Sequence, residues 1–295
     1  MIETVLTAVA VILRIVSNPL GNVFQKQLTA KGNHPLLVNF LTYFILSLLC
    51  VFIVISAGLP ALSKQFWLFS VLGGIAGAVG NGFLVKALEK GDLSVLGPIN
   101  SYKSVVGIIV GIFLLKEIPN RWGIVGIVLI MYGSYFVLDT TNERFSFALL
   151  KKKEIQYRIW AMVLTAIEAV FIKKIILASS ATFAFISWCC FGAFFSFILL
   201  WVYRLPITVE VRKVKASFIH QYLLLVCCIG VMQFTTNYVF DHLPVGYALS
   251  LFQLSTIVSV LLGYTVFKEK DIRKKLIGSV IMIVGSAVII LMRNQ

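Results

Sequence analysis

Residues 94–117, SVLGPINSYKSVVGIIVGIFLLKE, are one of many apolar runs near twenty residues in this 295-residue chain. A helix crossing a bilayer needs roughly 20 residues at ~1.5 Å rise each, so these runs constrain the fold more than any other feature. They predict spans near 4–26, 36–57, 67–88, 94–114, 122–139, 158–177, 183–203, 220–240, 246–266 and 274–292. Each must be a helix, because an open strand edge in lipid leaves backbone groups without partners. The expected fold class is an all-α integral membrane protein with ten transmembrane helices.

Composition agrees. The chain is 59% hydrophobic and only 13% charged, too apolar for a soluble core to explain. Lys and Arg number 26 against 12 Asp and Glu, a formal charge of +14, which in bulk resembles a nucleic-acid binder. The bases sit in short loops beside apolar runs, however, where positive-inside bias and lipid headgroups account for them, so no nucleic-acid partner is expected. Cys50, Cys189, Cys190, Cys227 and Cys228 all lie in apolar runs without Cys-x-x-Cys spacing, and suit buried packing. His34, His220 and His242 give no metal spacing, and neither a P-loop nor a Gly-x-Ser-x-Gly motif occurs. No enzyme, cofactor or metal site is expected. Glu3 stands where a cleavable signal peptide would need a basic region.

The chain repeats itself. Residues 246–269 end in Lys268-Glu269 as 94–117 end in Lys116-Glu117, each with a Gly five residues before the Lys (Gly263, Gly111). On that alignment Gly126 matches Gly278, Gly133 matches Gly285 and Ser134 matches Ser286. NVFQKQLTA from Asn22 likewise matches AVFIKKIIL from Ala169. A helix with an early Pro98 that ends in Lys-Glu, followed by a helix spaced by Gly123, Gly126 and Gly133, in two copies, resembles the EamA domain of the drug/metabolite transporter superfamily. The second copy departs from the first, with Ser250 opposite Pro98 and Ser255 opposite Lys103. The resemblance covers nearly the whole chain and implies ten helices in two five-helix repeats, 1–140 and 158–295, joined by a loop at 141–157. An odd number of spans per half inverts the repeats and puts the site between them near the midplane.

Orientation is contested. The resemblance implies cytoplasmic termini in a bacterial inner membrane. Most Lys and Arg, including Lys151, Lys152, Lys153, Lys268, Lys270 and Lys274, instead follow odd-numbered spans, which favours external termini.

Polar residues inside the spans are the site candidates. Lys103 lies near the middle of its run, where a cation costs at least ~2.5–3.5 kcal/mol and should face a cavity or partner. Asn100 shares its face. In the first span Arg14, Asn18 and Asn22 recur every four residues, beside Pro19. The two Asn either line a site or bond neighbouring helices, whereas a buried guanidinium needs a carboxylate or an anionic ligand. Glu168 is the one acid deep in a span, an ion-pair partner, a proton carrier or a ligand for an amine. Asn81 lies among Gly73, Gly77, Gly80 and Gly82, which favour close helix packing. Gln233 and Asn237 share a face of the eighth span, and Gln253 lies in the ninth. Lys26, Lys86, Lys173 and Lys174 read as interface anchors, and both Lys-Glu pairs as headgroup-level salt bridges or caps.

The expected activity is secondary transport by alternating access, in monomer or homodimer, of a small zwitterionic or anionic metabolite, an amino acid or related compound, with export as the working direction. Arg14 and Lys103 would hold a carboxylate or phosphate, and Glu168 an amine or a coupling proton. The alternative is a small-multidrug-like exporter of organic cations using Glu168. An enzyme acting on a lipid-linked substrate would need more acids than Glu168.

Overall fold

The computed structural model describes residues 2–58, 60–100, 102–115, 120–138 and 150–291, and among them the backbone forms helices and turns with no strand. The helices are α1 (Ile2–Ala30), α2 (Pro35–Ala57), α3 (Lys64–Lys90), α4 (Leu93–Ile99), α5 (Tyr102–Leu115) and α6 (Arg121–Leu138), then α7 (Lys153–Ala178), α8 (Ala181–Val202), α9 (Ile207–Arg212), α10 (Ile219–His242), α11 (Val245–Leu251), α12 (Ser255–Phe267) and α13 (Ile272–Leu291). Local chemistry sets several starts. Ser63 Oγ accepts from Phe66 N at 3.2 Å and Ser180 Oγ from Phe183 N at 3.3 Å, satisfying amides that the first turn leaves orphaned. Pro35, without an N–H to lose, opens α2 after His34.

Six helices among the described residues are long and apolar enough to cross a membrane: Glu3–Ala30, Pro35–Ile55, Lys64–Lys90, Ala181–Val202, Ile219–His242 and Val245–Phe267. Other expected spans are helical but shorter, broken or more polar. The outer surface carries Phe52, Ile55, Phe113 and Trp201, each more than 70% exposed, as lipid-facing positions require. Cys190 and Cys227 lie on that exposed side rather than in the core, and Cys50 and Cys189 are buried.

The run expected as one helix at 94–114 is two helices. Pro98 removes a donor one residue before α4 ends, and the chain turns at Asn100 before α5 begins. Its counterpart is interrupted at the same place by a 3₁₀ turn, Phe252–Leu254, between α11 and α12, although no Pro lies there. Phe252 and Gln253 of the second break are buried.

The packing is symmetric between the halves. The most extensive contacts join α3 to α7, α6 to α13, α1 to α10 and α2 to α8. Exchanging the halves maps α1–α10 onto α7–α3, and the α4–α12 contact onto α11–α5. The matched glycines of α6 and α13 explain how those two helices meet. A Cβ on Gly133 would sit 2.6 Å from Gly278 O, and one on Gly285 would sit 2.7 Å from Gly126 O. The helices touch backbone to backbone, the usual role of spaced small residues in membranes.

At one end of the bundle the halves are tied by charge. Lys268, in the left-handed region at φ 57°, ends α12, and Glu269 N–H bonds back to Gly263 O at 3.2 Å. This turn aims the Glu269 carboxylate at the start of α4, where it accepts from Leu93 N and Ser94 N, both at 2.8 Å. Lys26 Nζ reaches Glu269 at 3.3 Å and Gly91 O at 2.7 Å, and Lys275 Nζ donates to Ser94 Oγ at 2.6 Å. A Cβ on Gly263 would fall 2.5 Å from the carboxylate, so the Gly-to-Glu spacing reflects this fold-back. The second Lys-Glu motif is thus a cap, but for a helix of the other repeat. Lys26 belongs to that junction rather than snorkelling, while Lys86 packs over Tyr203 at 4.0 Å. Lys116-Glu117 lies outside the described residues.

Candidate functional site

Between the halves lies a cavity of about 60 Å³, where one ordered water needs roughly 10–15 Å³, so it has room for several waters or a small ligand. Eight of the ten expected residues line it: Arg14, Asn18 and Asn22 from α1, Asn81 from α3, Asn100 and Lys103 at the α4–α5 break, Glu168 from α7 and Gln233 from α10. Asn237 and Gln253 do not. Asn237, fully buried, accepts from Gln233 Nε2 at 2.8 Å and donates to Ala181 O at 3.3 Å, so it positions its neighbour. Gln253 is spent on Leu249 O at 3.0 Å within the 3₁₀ region.

Arg14 is held but not satisfied. Its Nε donates to Thr236 Oγ1 at 2.8 Å and its guanidinium lies over Phe252 at 4.7 Å, yet Nη1 is buried with no hydrogen-bond partner among the described residues. Asn22 Oδ1 is in the same condition. Glu168 is 5% exposed and accepts from Trp188 Nε1 at 2.6 Å. Trp188 packs on Tyr43 at 4.5 Å, and the Tyr43 hydroxyl accepts from Asn81 Nδ2 at 2.7 Å. Lys103 feels Glu168 as an attraction and Arg14 and Arg158 as repulsions. Among the described residues no carboxylate lies within 4.0 Å of Arg14, Lys103 or Arg158.

Gly77 creates the place for Glu168. A Cβ there would overlap Glu168 Oε1. Gly77→Ala should therefore displace the carboxylate and cost about 1–3 kcal/mol as overpacking. Denaturant unfolding in detergent reads the stability. A shift in Trp188 fluorescence reads the lost indole–carboxylate bond; unchanged Trp188 emission would contradict the assignment.

Arg158 is the first residue of the span expected at 158–177, a position at which a base reads as a headgroup anchor. The helix begins at Lys153, and Arg158, Thr165 and Glu168 share a buried face. Their spacing of seven and three, which keeps one helix face, was the available signal. Arg158 is 5% exposed, lines the cavity and donates from Nε to Leu96 O at 2.8 Å in the broken helix. Trp188, Thr165 and Thr236 were also missed, being unremarkable in apolar runs.

A family model described as the EamA-like transporter family matches residues 6–139 and again 152–291. The chain belongs to the EamA-like transporter family. It is a multi-pass membrane transporter of the drug/metabolite transporter superfamily, with two EamA repeats, and a transporter rather than an enzyme. One solved crystal structure, described only as a protein, superposes with a TM-score of 0.70 over 97% of this chain and 98% of its own at 15% identity. At that identity the likeness bears on the fold alone. No curated protein matches the chain. An EamA-like transporter implies a small-molecule substrate and a lipid bilayer as its partners. Its two repeats meet at the cavity described above.

Proposed function

We propose that this EamA-like transporter moves a small anionic or zwitterionic metabolite, such as an amino acid, by alternating access of its two repeats around the central cavity. The observation that carries this reading is the excess of cations over carboxylates lining it among the described residues, with Arg14 Nη1 buried and lacking a hydrogen-bond partner among them. A buried cation without a counter-charge costs several kcal/mol, and an anionic cargo supplies that counter-charge only while bound. Arg14 and Lys103 hold the acidic group, Asn18, Asn22, Asn81, Asn100 and Gln233 bond its polar substituents, and the broken helices α4–α5 and α11–α12 supply the moving walls. Glu168 carries the coupling proton: it is a lone buried carboxyl with one indole donor and no cation within 4.0 Å among the described residues.

Thermal unfolding in detergent against amino acids, organic anions and organic cations tests the cargo class, since a ligand of the native state must raise the midpoint. An anion or zwitterion should stabilise the wild type, and Lys103→Met should abolish the shift. Stabilisation by cations alone, lost in Glu168→Gln, would replace this reading with cation export. The proton role has a separate readout. Glu168→Gln in proteoliposomes should keep substrate exchange and lose accumulation driven by a pH gradient; retained accumulation would remove Glu168 from coupling.

A further inference from the structure

The charge of the cavity is larger than Arg14, Lys103 and Glu168 alone imply. Arg158 lines the same space, is as buried as Glu168, and among the described residues commits only Nε, to Leu96 O. Three cations therefore face one carboxylate. The surplus of two positive charges is the same whether Lys103 and Glu168 are both ionised or have exchanged a proton. A coupling proton on Glu168 alone would raise the surplus to three, so the cavity is at least doubly positive while Lys103 keeps its charge. No other acid among the described residues lines the cavity, and Arg14 Nη1 and Asn22 Oδ1 are buried and unpartnered at its wall.

Resting on the proposed transport of an anionic or zwitterionic cargo, we infer that the cargo is a small organic dianion and that Arg158 holds its second negative charge. Arg158 and Glu168 lie on one helix ten residues apart, about 15 Å of backbone rise, and both side chains line the one cavity. A guanidinium fixed through Nε by a carbonyl still presents its other donors, which suits either a carboxylate or a phosphate.

The test is ligand binding to the full-length protein in detergent at neutral pH, using succinate, glycerol phosphate, butyrate and alanine as probes. Succinate or glycerol phosphate should bind about tenfold or more tightly than butyrate or alanine, the least that one close buried charge pair contributes. Arg158→Gln should erase that margin, weakening succinate and glycerol phosphate binding about tenfold more than it weakens butyrate binding. Arg158→Lys, which keeps the charge, should restore most of the margin and guards against a folding defect. Preference for succinate means two separated acidic groups, and preference for glycerol phosphate means one doubly charged group; both support the inference. Equal binding of butyrate and succinate, or a dianion margin unchanged in Arg158→Gln, overturns it and leaves anion transport standing. Binding of organic cations with no response to any of the four probes overturns the transport reading as well.

Discussion

Glu269→Ala should lower the unfolding free energy by about 3–5 kcal/mol, the range for removing one partner of a buried charge cluster. The carboxylate is 6% exposed, accepts from two amides at the start of α4, and pairs with Lys26. Its loss orphans Leu93 N and Ser94 N and removes the ion-pair partner of Lys26, while Lys275 keeps the attraction of Asp92 and Asp271. These contacts cross from α12 in the second repeat to α1 and α4 in the first, so the damage falls on the junction between repeats. Burial pushes the Glu269 carboxyl up, but the Ser94 side chain, Lys26 and the two amides outweigh it and hold it below the usual carboxylate range. A depressed folded pKa stabilises above the unfolded value near ~4.3 and loses that stabilisation as pH falls through the folded value. The junction therefore stays intact through neutral and mildly acidic pH, and pH dependence of transport there has another origin. Unfolding of wild type and Glu269→Gln at neutral and acid pH checks this. Glu269→Gln keeps an acceptor oxygen and should lose less than Glu269→Ala. Equal stability of all three proteins would contradict the role.

Gly285→Leu should be as damaging, by a different route. Its Cβ would meet Gly126 O at 2.7 Å, Leu129 Cβ at 2.9 Å and Ile130 N at 3.0 Å. Two of these are backbone atoms, which cannot rotate away as a flexible side chain does. The cost should reach or pass the upper end of the about 1–3 kcal/mol typical of overpacking, through separation of α6 from α13. Gly133→Leu should do the same from the other helix, its Cβ falling 2.6 Å from Gly278 O. Val284→Leu is the control, since Val284 is half exposed on the outer side and tolerates a larger apolar group. Folded yield by size exclusion and denaturant unfolding would measure the difference. Retention of near wild-type stability by Gly285→Leu would mean that the two helices do not meet through their glycines.

Much of this was legible in the chain because membranes make sequence literal. The apolar runs had to be helices, and the glycine match between Gly126-Gly133 and Gly278-Gly285 marked a duplication whose copies turn out to pack on each other. Arg14, Lys103 and Glu168 stood out because charge is rare at bilayer depth, and the fold brings them to one cavity. What stayed hidden depended on three-dimensional context. Arg158 looked like a loop base until α7 was seen to start five residues earlier. Gln253 looked like a lining amide, yet its local turn takes up its side chain. Asn237 lies on the expected face but serves Gln233. The Lys-Glu motif was visible as a motif, but that Glu269 reaches across to cap a helix of the other repeat depends on a left-handed Lys268 that no periodicity reveals.

The most direct test of the central claim, an anion-holding cavity shared by two repeats, is counterflow in proteoliposomes loaded with unlabelled substrate. Wild-type protein should exchange a labelled small organic anion or zwitterion across the membrane, and Arg14→Gln should abolish the exchange while remaining folded in detergent. Exchange of an organic cation in place of the anion, undiminished in Arg14→Gln, would contradict it.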